Sequence, residues 1–149
     1  MSDILKAIGN TPIVKLKNIL PIGCGEIYVK LEAFNPTGSK KDRMALSMIL
    51  GAEKRGVLKK GMTVVEYSGG STGAGLAFVC SLKGYNFRLV TADVFGKEKI
   101  DLMRSLGANL EIIKSSDGKI NKELITKMIK KADQISKEPN TFFTNQLNN

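Results

Sequence analysis

The chain contains no histidine. That removes the commonest general base and the commonest metal ligand. A Ser-His-Asp or Cys-His site built within these 149 residues is excluded, and a zinc or other metal site is not expected. Cysteine is scarce as well. Cys24 and Cys80 are too few for a disulfide framework and have no metal-ligand spacing. A reduced, cytoplasmic setting is the resulting expectation. No apolar run approaches the roughly 18 residues that span a bilayer, so no membrane association is expected. The opening Met1-Ser2-Asp3-Ile4-Leu5-Lys6 lacks the charged-then-apolar pattern of a secretory leader. Any chemistry must come from lysine, a carboxylate, a hydroxyl or a bound cofactor.

Hydrophobic residues make up 42% and charged residues 25%, the balance of a globular domain with a core. The net charge of +9, from 23 basic and 14 acidic residues, favours anionic ligands. The lysines are dispersed, often beside acidic residues. The densest set, Lys127, Lys130 and Lys131, has helical spacing and reads as a solvated helix face. No aromatic residue interleaves with it, so nucleic acid is not an expected partner.

From Met62 onward, short β-rich runs alternate with amphipathic stretches. Strands are predicted at Thr63–Tyr67, Phe87–Thr91, Leu110–Ile113 and Thr141–Thr144, and helices at Ser71–Lys83, Lys97–Leu106 and Asn121–Ser136. Gly84 and Gly107 follow two of the helices as C-terminal stops. This alternation predicts βαβ units, hence an α/β fold with a parallel sheet covered by helices on both faces. Ahead of it, Ile13–Leu16 and Glu26–Leu31 resemble two strands of another sheet, and a helix is predicted from Met44 to about Arg55.

Two loops carry the chemistry. The first is Asn35-Pro36-Thr37-Gly38-Ser39-Lys40-Lys41-Asp42-Arg43, which places a lysine in the first turn of a helix just after a strand. The helix dipole disfavours a cation there. An amine in such a field is expected to have a lowered pKa, as a nucleophile or Schiff-base former requires; the plainer alternative is a solvated lysine near a turn. The second loop, Ser68-Gly69-Gly70-Ser71-Thr72-Gly73, joins a strand to a helix. Its backbone N–H groups and three hydroxyls suit a carboxylate or phosphate. The structural alternative is a tight turn with Ser71 as N-cap. The glycines run G-x-x-G-x-G from Gly70, which is neither a dinucleotide fingerprint nor a Walker loop. A nucleotide-binding reading is therefore weaker. Both loops fall at the carboxyl edge of the sheet, where α/β ligands bind. A lysine beside a carboxylate cradle suggests an amino-acid substrate and a carbonyl cofactor.

Further motifs point to a family. Ile8-Gly9-Asn10-Thr11-Pro12-Ile13-Val14-Lys15-Leu16 is similar to the G-N/H-T-P-L-V-x-L opening of the cysteine synthase and cystathionine β-synthase group, pyridoxal-phosphate enzymes of fold type II. The first loop resembles that group's N-P-x-x-S-x-K-D-R motif, and Ala52-Glu53-Lys54-Arg55-Gly56 and Leu106-Gly107-Ala108 also fit. The resemblance covers essentially the whole chain.

It implies pyridoxal 5'-phosphate as cofactor and Lys41, directly before Asp42-Arg43, as the Schiff-base lysine that also takes the α-proton. Ser68, Gly69, Gly70, Ser71 and Thr72 resemble the T-S-G-N-T loop that binds the substrate carboxylate, and Gln146 resembles a glutamine reaching the same group. Ser71 stands where the family has an asparagine that hydrogen-bonds the cofactor ring oxygen, which puts cofactor tuning in question. The implied activity is β-replacement on an O-activated serine to make cysteine, in a cytoplasmic homodimer. Family members run to about twice this length, as a two-domain fold requires. Residues 1–36 then correspond to N-terminal strands of the large domain and 37–149 to the small domain, with the rest of the large domain outside this chain. A truncated piece is expected to be inactive alone. A non-catalytic module binding a small-molecule or peptide carboxylate is the alternative.

Overall fold

The structure, a computed structural model, describes residues 4–149; residues 1–3, which open the N-terminal segment of the sequence, lie outside the described residues. Two short strands, β1 (Ile13–Lys15) and β2 (Tyr28–Lys30), pair antiparallel and stand apart from the main sheet. Helix α1 (Lys41–Lys54) follows. The chain then alternates through β3 (Thr63–Tyr67), α2 (Ser71–Lys83), β4 (Asn86–Ala92), α3 (Lys97–Ser105), β5 (Ala108–Ile113), α4 (Lys122–Ser136) and β6 (Thr141–Phe143). Strands β3 to β6 form one parallel sheet in the order β5-β4-β3-β6.

The period-2 alternation of the strands sorts side chains onto two faces. Val64 of β3 and Phe87 and Leu89 of β4 pack with α1, α2 and α3. Val65 and Tyr67 of β3 and Val90 and Ala92 of β4 pack with Leu124, Met128, Ala132 and Ile135 of α4. The expected helices on both faces are present: α4 covers one face, α2 and α3 cover the other, and α1 packs on α2. The polar stripe of α4 carries Lys127 and Lys130 outward, as its spacing predicts.

Helix α2 is the central element. Residues Thr72–Ala77 are all buried, because it lies between the sheet and its sister helices. Its small residues allow α1 to approach closely. A Cβ on Gly75 would lie 3.1 Å from Asp42 Oδ1 and 3.2 Å from the Lys41 carbonyl oxygen. Glycine at this point brings the first turn of α1, and Lys41 with it, against the opening of α2.

The predicted helix from Met44 begins three residues earlier, at Lys41. Side chains of the preceding loop cause this. Ser39 Oγ accepts from the Lys41 N–H at 3.1 Å, and the buried Asp42 carboxylate accepts from the Thr37 N–H at 2.7 Å and from the Thr37 hydroxyl. The loop is thereby tied to the helix it opens.

Arg43 secures the N-terminal segment. Its Nε and Nη2 fork onto the two oxygens of Glu32 at 2.9 and 3.0 Å, and Nη2 also donates to Thr11 Oγ1 at 3.0 Å. Thr11 in turn donates to Glu32 at 2.8 Å. Bidentate geometry of this kind is strong for an ion pair. By contrast, apolar side chains around β1 and β2 point to solvent: Ile13 is 63% exposed and Phe34 67%.

Two outcomes follow. The Arg43 hydrogen bonds, then that of Thr11, hold the Glu32 carboxyl down from its ordinary 4.5 to about 2. A lowered folded-state value makes the contribution complete above about pH 4.5 and lost as pH falls toward about 2. The stability difference between the wild-type chain and Glu32→Gln, measured by urea unfolding, is expected to narrow across that window; a difference independent of pH would contradict the pairing. Gly75→Val is expected to cost roughly 1–3 kcal/mol through overpacking against α1. An unchanged urea midpoint would show that the two helices are not held at this distance.

Candidate active site

The order β5-β4-β3-β6 reverses direction at β3: the chain steps from β3 to β4 to β5, then returns over α4 to the other side of β3. Such a switch point leaves a crevice at the carboxyl ends of the strands. Here it is a cleft of about 350 Å³. Lys41, Ser68, Gly69, Ser71, Thr72 and Gln146 all line it. Gly70 lies on an adjoining hollow, shared with Thr37, Ser71 and Lys99.

Lys41 is half-buried, whereas Lys40 is exposed. The Lys41 amine reaches Met44 Sδ at 3.7 Å, and among the described residues it forms no ion pair. Lys41 lines both this cleft and a neighbouring hollow shared with Lys30, Glu32, Arg43 and Met44, and its amine contacts the Met44 side.

The loop before α2 differs from the turn with Ser71 as N-cap. Ser71 is the first residue of the helix, and no side chain caps from the N-cap position itself, Gly70. Instead, Ser68 reaches forward, and its Oγ accepts from the N–H groups of Gly70 and Gly73, both at 3.1 Å. The first N–H groups of a helix lack intrahelical partners. With Gly73 satisfied by Ser68, those of Ser71 and Thr72 stay available at the positive end of α2. Ser71 is exposed on the cleft, and its hydroxyl makes no hydrogen bond among the described residues.

Thr72 and Gln146 meet across 74 positions of sequence: the threonine hydroxyl donates to Gln146 Oε1 at 2.8 Å. Gln146 Nε2 donates to the Tyr67 carbonyl at 3.1 Å. One of the two amide hydrogens is used in this way, leaving the other for a ligand.

The opposite wall was not foreseen from the sequence. Tyr67, Phe95, Ile125 and Met128 line it, from β3, the β4–α3 loop and α4. Phe95 lies directly over Gly69. A Cβ on Gly69 would sit 2.2 Å from Phe95 Cε1 and 2.4 Å from Cζ, so the ring fills the space that any side chain at 69 would need. The fully buried Glu66 sits under the loop, and burial pushes its carboxyl up against the opposing pull of hydrogen bonds from Thr144, Tyr67 and Gln146. Its signal was visible as the one charge in the otherwise apolar run of β3, and Phe95 as an aromatic just past a strand end.

A half-buried amine, two open helix N–H groups, an unpaired hydroxyl and a primary amide on one crevice are the donor set that an aldehyde cofactor and an amino-acid carboxylate need. The residues present fit pyridoxal phosphate at its aldehyde end, with Lys41 and Ser71 as the groups that would hold it.

Comparison with known proteins gives the family. The family described as pyridoxal-phosphate dependent enzyme matches residues 4–149. A cysteine synthase of Staphylococcus aureus is 40% identical over 149 residues, which is 100% of this chain and 46% of that protein. A hydrogen sulfide-producing enzyme of Fusobacterium nucleatum superposes with a TM-score of 0.88 at 38% identity, over 100% of this chain and 47% of its own. The O-acetyl serine sulfhydrylase isoform 3 of Entamoeba histolytica superposes with a TM-score of 0.87 at 34% identity, over 100% of this chain and 44% of its own. The chain spans less than half the length of these relatives. It belongs to the pyridoxal-phosphate dependent enzymes of fold type II and is similar throughout its length to the N-terminal portion of cysteine synthases.

Proposed function

We propose that this chain supplies the amine and the carboxylate-binding half of a β-replacement site that converts an O-activated serine to cysteine. The observation that carries this reading is the single crevice shared by Lys41, the 68–72 loop and Gln146. In the whole protein, residues 1–36 belong to a large domain and 37–149 form the small domain. The exposed apolar side chains around β1 and β2 are what such a domain would cover. The protein works as a cytoplasmic homodimer, as the family resemblance implies.

Each residue has a role that its surroundings support. The N–H groups of Ser71 and Thr72 and the free amide hydrogen of Gln146 bind the substrate carboxylate. Thr72 Oγ1 holds the Gln146 amide in the orientation that leaves this hydrogen outward. Lys41 Nζ would hold the cofactor and, as a free amine, would take the proton from the substrate Cα. The cofactor, when bound, withdraws electrons from that carbon. The Ser71 hydroxyl would donate to the cofactor in place of the family's asparagine. The wall of Phe95, Ile125 and Met128 excludes water from the side facing α4.

Borohydride reduction of the chain with added pyridoxal phosphate, followed by peptide mapping, tests the amine. Label is expected on Lys41, to persist in Lys40→Ala and to be lost in Lys41→Ala. Label on Lys40 would overturn the assignment. A colourless chain that still binds amino acids would favour a non-catalytic carboxylate binder. The loop has its own test. Gly69→Ser is expected to cost roughly 1–3 kcal/mol, because Phe95 must leave its seat. In a Phe95→Ala background that cost is expected to shrink by about 1 kcal/mol or more. Additive effects in urea unfolding would show that the ring does not set the residue at 69.

A further inference from the structure

Glu66 is fully buried, yet no basic residue pairs with it among the described residues. A buried carboxylate is costly unless hydrogen-bonded, and a well-packed apolar residue would serve a core at least as well. What Glu66 does instead is visible in its partners. Its Oε1 accepts from the Tyr67 N–H at 2.9 Å, and its Oε2 accepts from Thr144 Oγ1 at 2.7 Å and from the Gln146 N–H at 2.9 Å. Two of the three donors are backbone N–H groups, which can only donate. Two of the three belong to residues 144–146, which leave the sheet after β6.

That segment needs holding. Thr144 still continues the ladder, its N–H donating to the Val65 carbonyl at 3.1 Å. Asn145 then takes a left-handed turn, with φ of 47°, a conformation asparagine tolerates better than most residues. The turn brings Gln146 back over the end of β3. There, the backbone N–H of Gln146 is fixed by Glu66, its Nε2 by the carbonyl of Tyr67, and its Oε1 by Thr72. Glu66 and Tyr67 are consecutive, so one dipeptide of β3 grips Gln146 at both main chain and side chain.

We propose that Glu66 is the positioning residue of the carboxylate site: by clamping residues 144–146 to β3 it aims the free hydrogen of the Gln146 amide, which the Thr72 hydroxyl orients from the other side, at the substrate carboxylate. This rests on the reading of that loop as an amino-acid site. Glu66 touches neither substrate nor cofactor; it acts through Gln146. Replacement by glutamine puts an amide N–H against one of the donors that Glu66 now accepts from, which loosens the clamp with little change of volume.

The test is titration of the ¹⁵N-labelled chain with L-serine, followed at the amides of Ser71 and Thr72 and the side-chain amide of Gln146. Wild type is expected to bind, and Glu66→Gln to bind at least about fivefold more weakly, as for loss of a hydrogen bond to a charged group. Gln146→Ala is expected to show a similar loss, and the double variant to be no weaker than Gln146→Ala alone. That non-additivity is the signature of action through Gln146 and would not arise from general loosening of the fold. Should Glu66→Gln fail to fold, Thr144→Val serves: it removes one donor, and binding at least about twofold weaker is expected, again without further loss in the Gln146→Ala background. Undiminished binding in the folded variants, or losses that multiply, would overturn the role of Glu66 while leaving the carboxylate site standing. A wild-type chain that does not bind L-serine would overturn both.

Discussion

The contact between Gly75 of α2 and the first turn of α1 fixes the relation between the two halves of the site. Lys41 and the 68–72 loop belong to different helices, and nothing in their sequence separation brings them together. They share a crevice because the α2 surface is stripped to hydrogen where α1 begins, so the backbone of Lys41 comes within van der Waals reach of it. Helix packing is short-ranged and steep in distance. A methylene too many at this contact would move the amine by an amount that matters to a reaction needing atoms within about 3–3.5 Å of one another.

Much of this was legible in the sequence. The strands and helices from β3 to α4 announce themselves by alternation, by helical spacing and by glycines past two of the helix ends, because each signal is local. The start of α1 was less so: the Ser39 hydroxyl takes the Lys41 N–H and the Asp42 carboxylate ties back to Thr37, all of them before the boundary at Met44 that the apolar pattern marks. The plainer alternative for the second loop, a turn with Ser71 as N-cap, fails for a similar reason. Ser68 lies three residues before the helix, yet its hydroxyl takes the N–H groups, while Ser71 is left free to face the cleft. That exchange gives a structural job to one serine and leaves the other for a ligand.

Gln146 shows where local reading stops. Its partners at Glu66 and Thr72 are 80 and 74 residues away. Periodicity cannot announce such a contact, and only the resemblance to a family pointed to it. Phe95 is readable as an aromatic past a strand end, but its role over the loop is not. Its importance comes from what Gly69 lacks, and a glycine in a glycine-rich loop gives no sign of whether its missing side chain serves backbone freedom or makes room for a ring. The structure assigns the second reason.

Among the described residues the cleft has a single cation in its lining, Lys41, the amine proposed to react. Every other donor there is neutral: two helix N–H groups, a hydroxyl and an amide. Neutral donors can hold a carboxylate well when they are fixed in advance and the helix dipole stands behind them. An arginine would bind it more strongly by its charge, but it would also place a permanent positive field beside the nitrogen that must accept a proton. The arrangement here avoids that conflict by using geometry instead of charge. The accuracy of that geometry then becomes the requirement. Thr72, Gln146 and the main chain after β6 must all be held without a second cation in the cleft, and the acid that does the holding is buried beneath the loop, where its oxygens are already satisfied by the donors it organises.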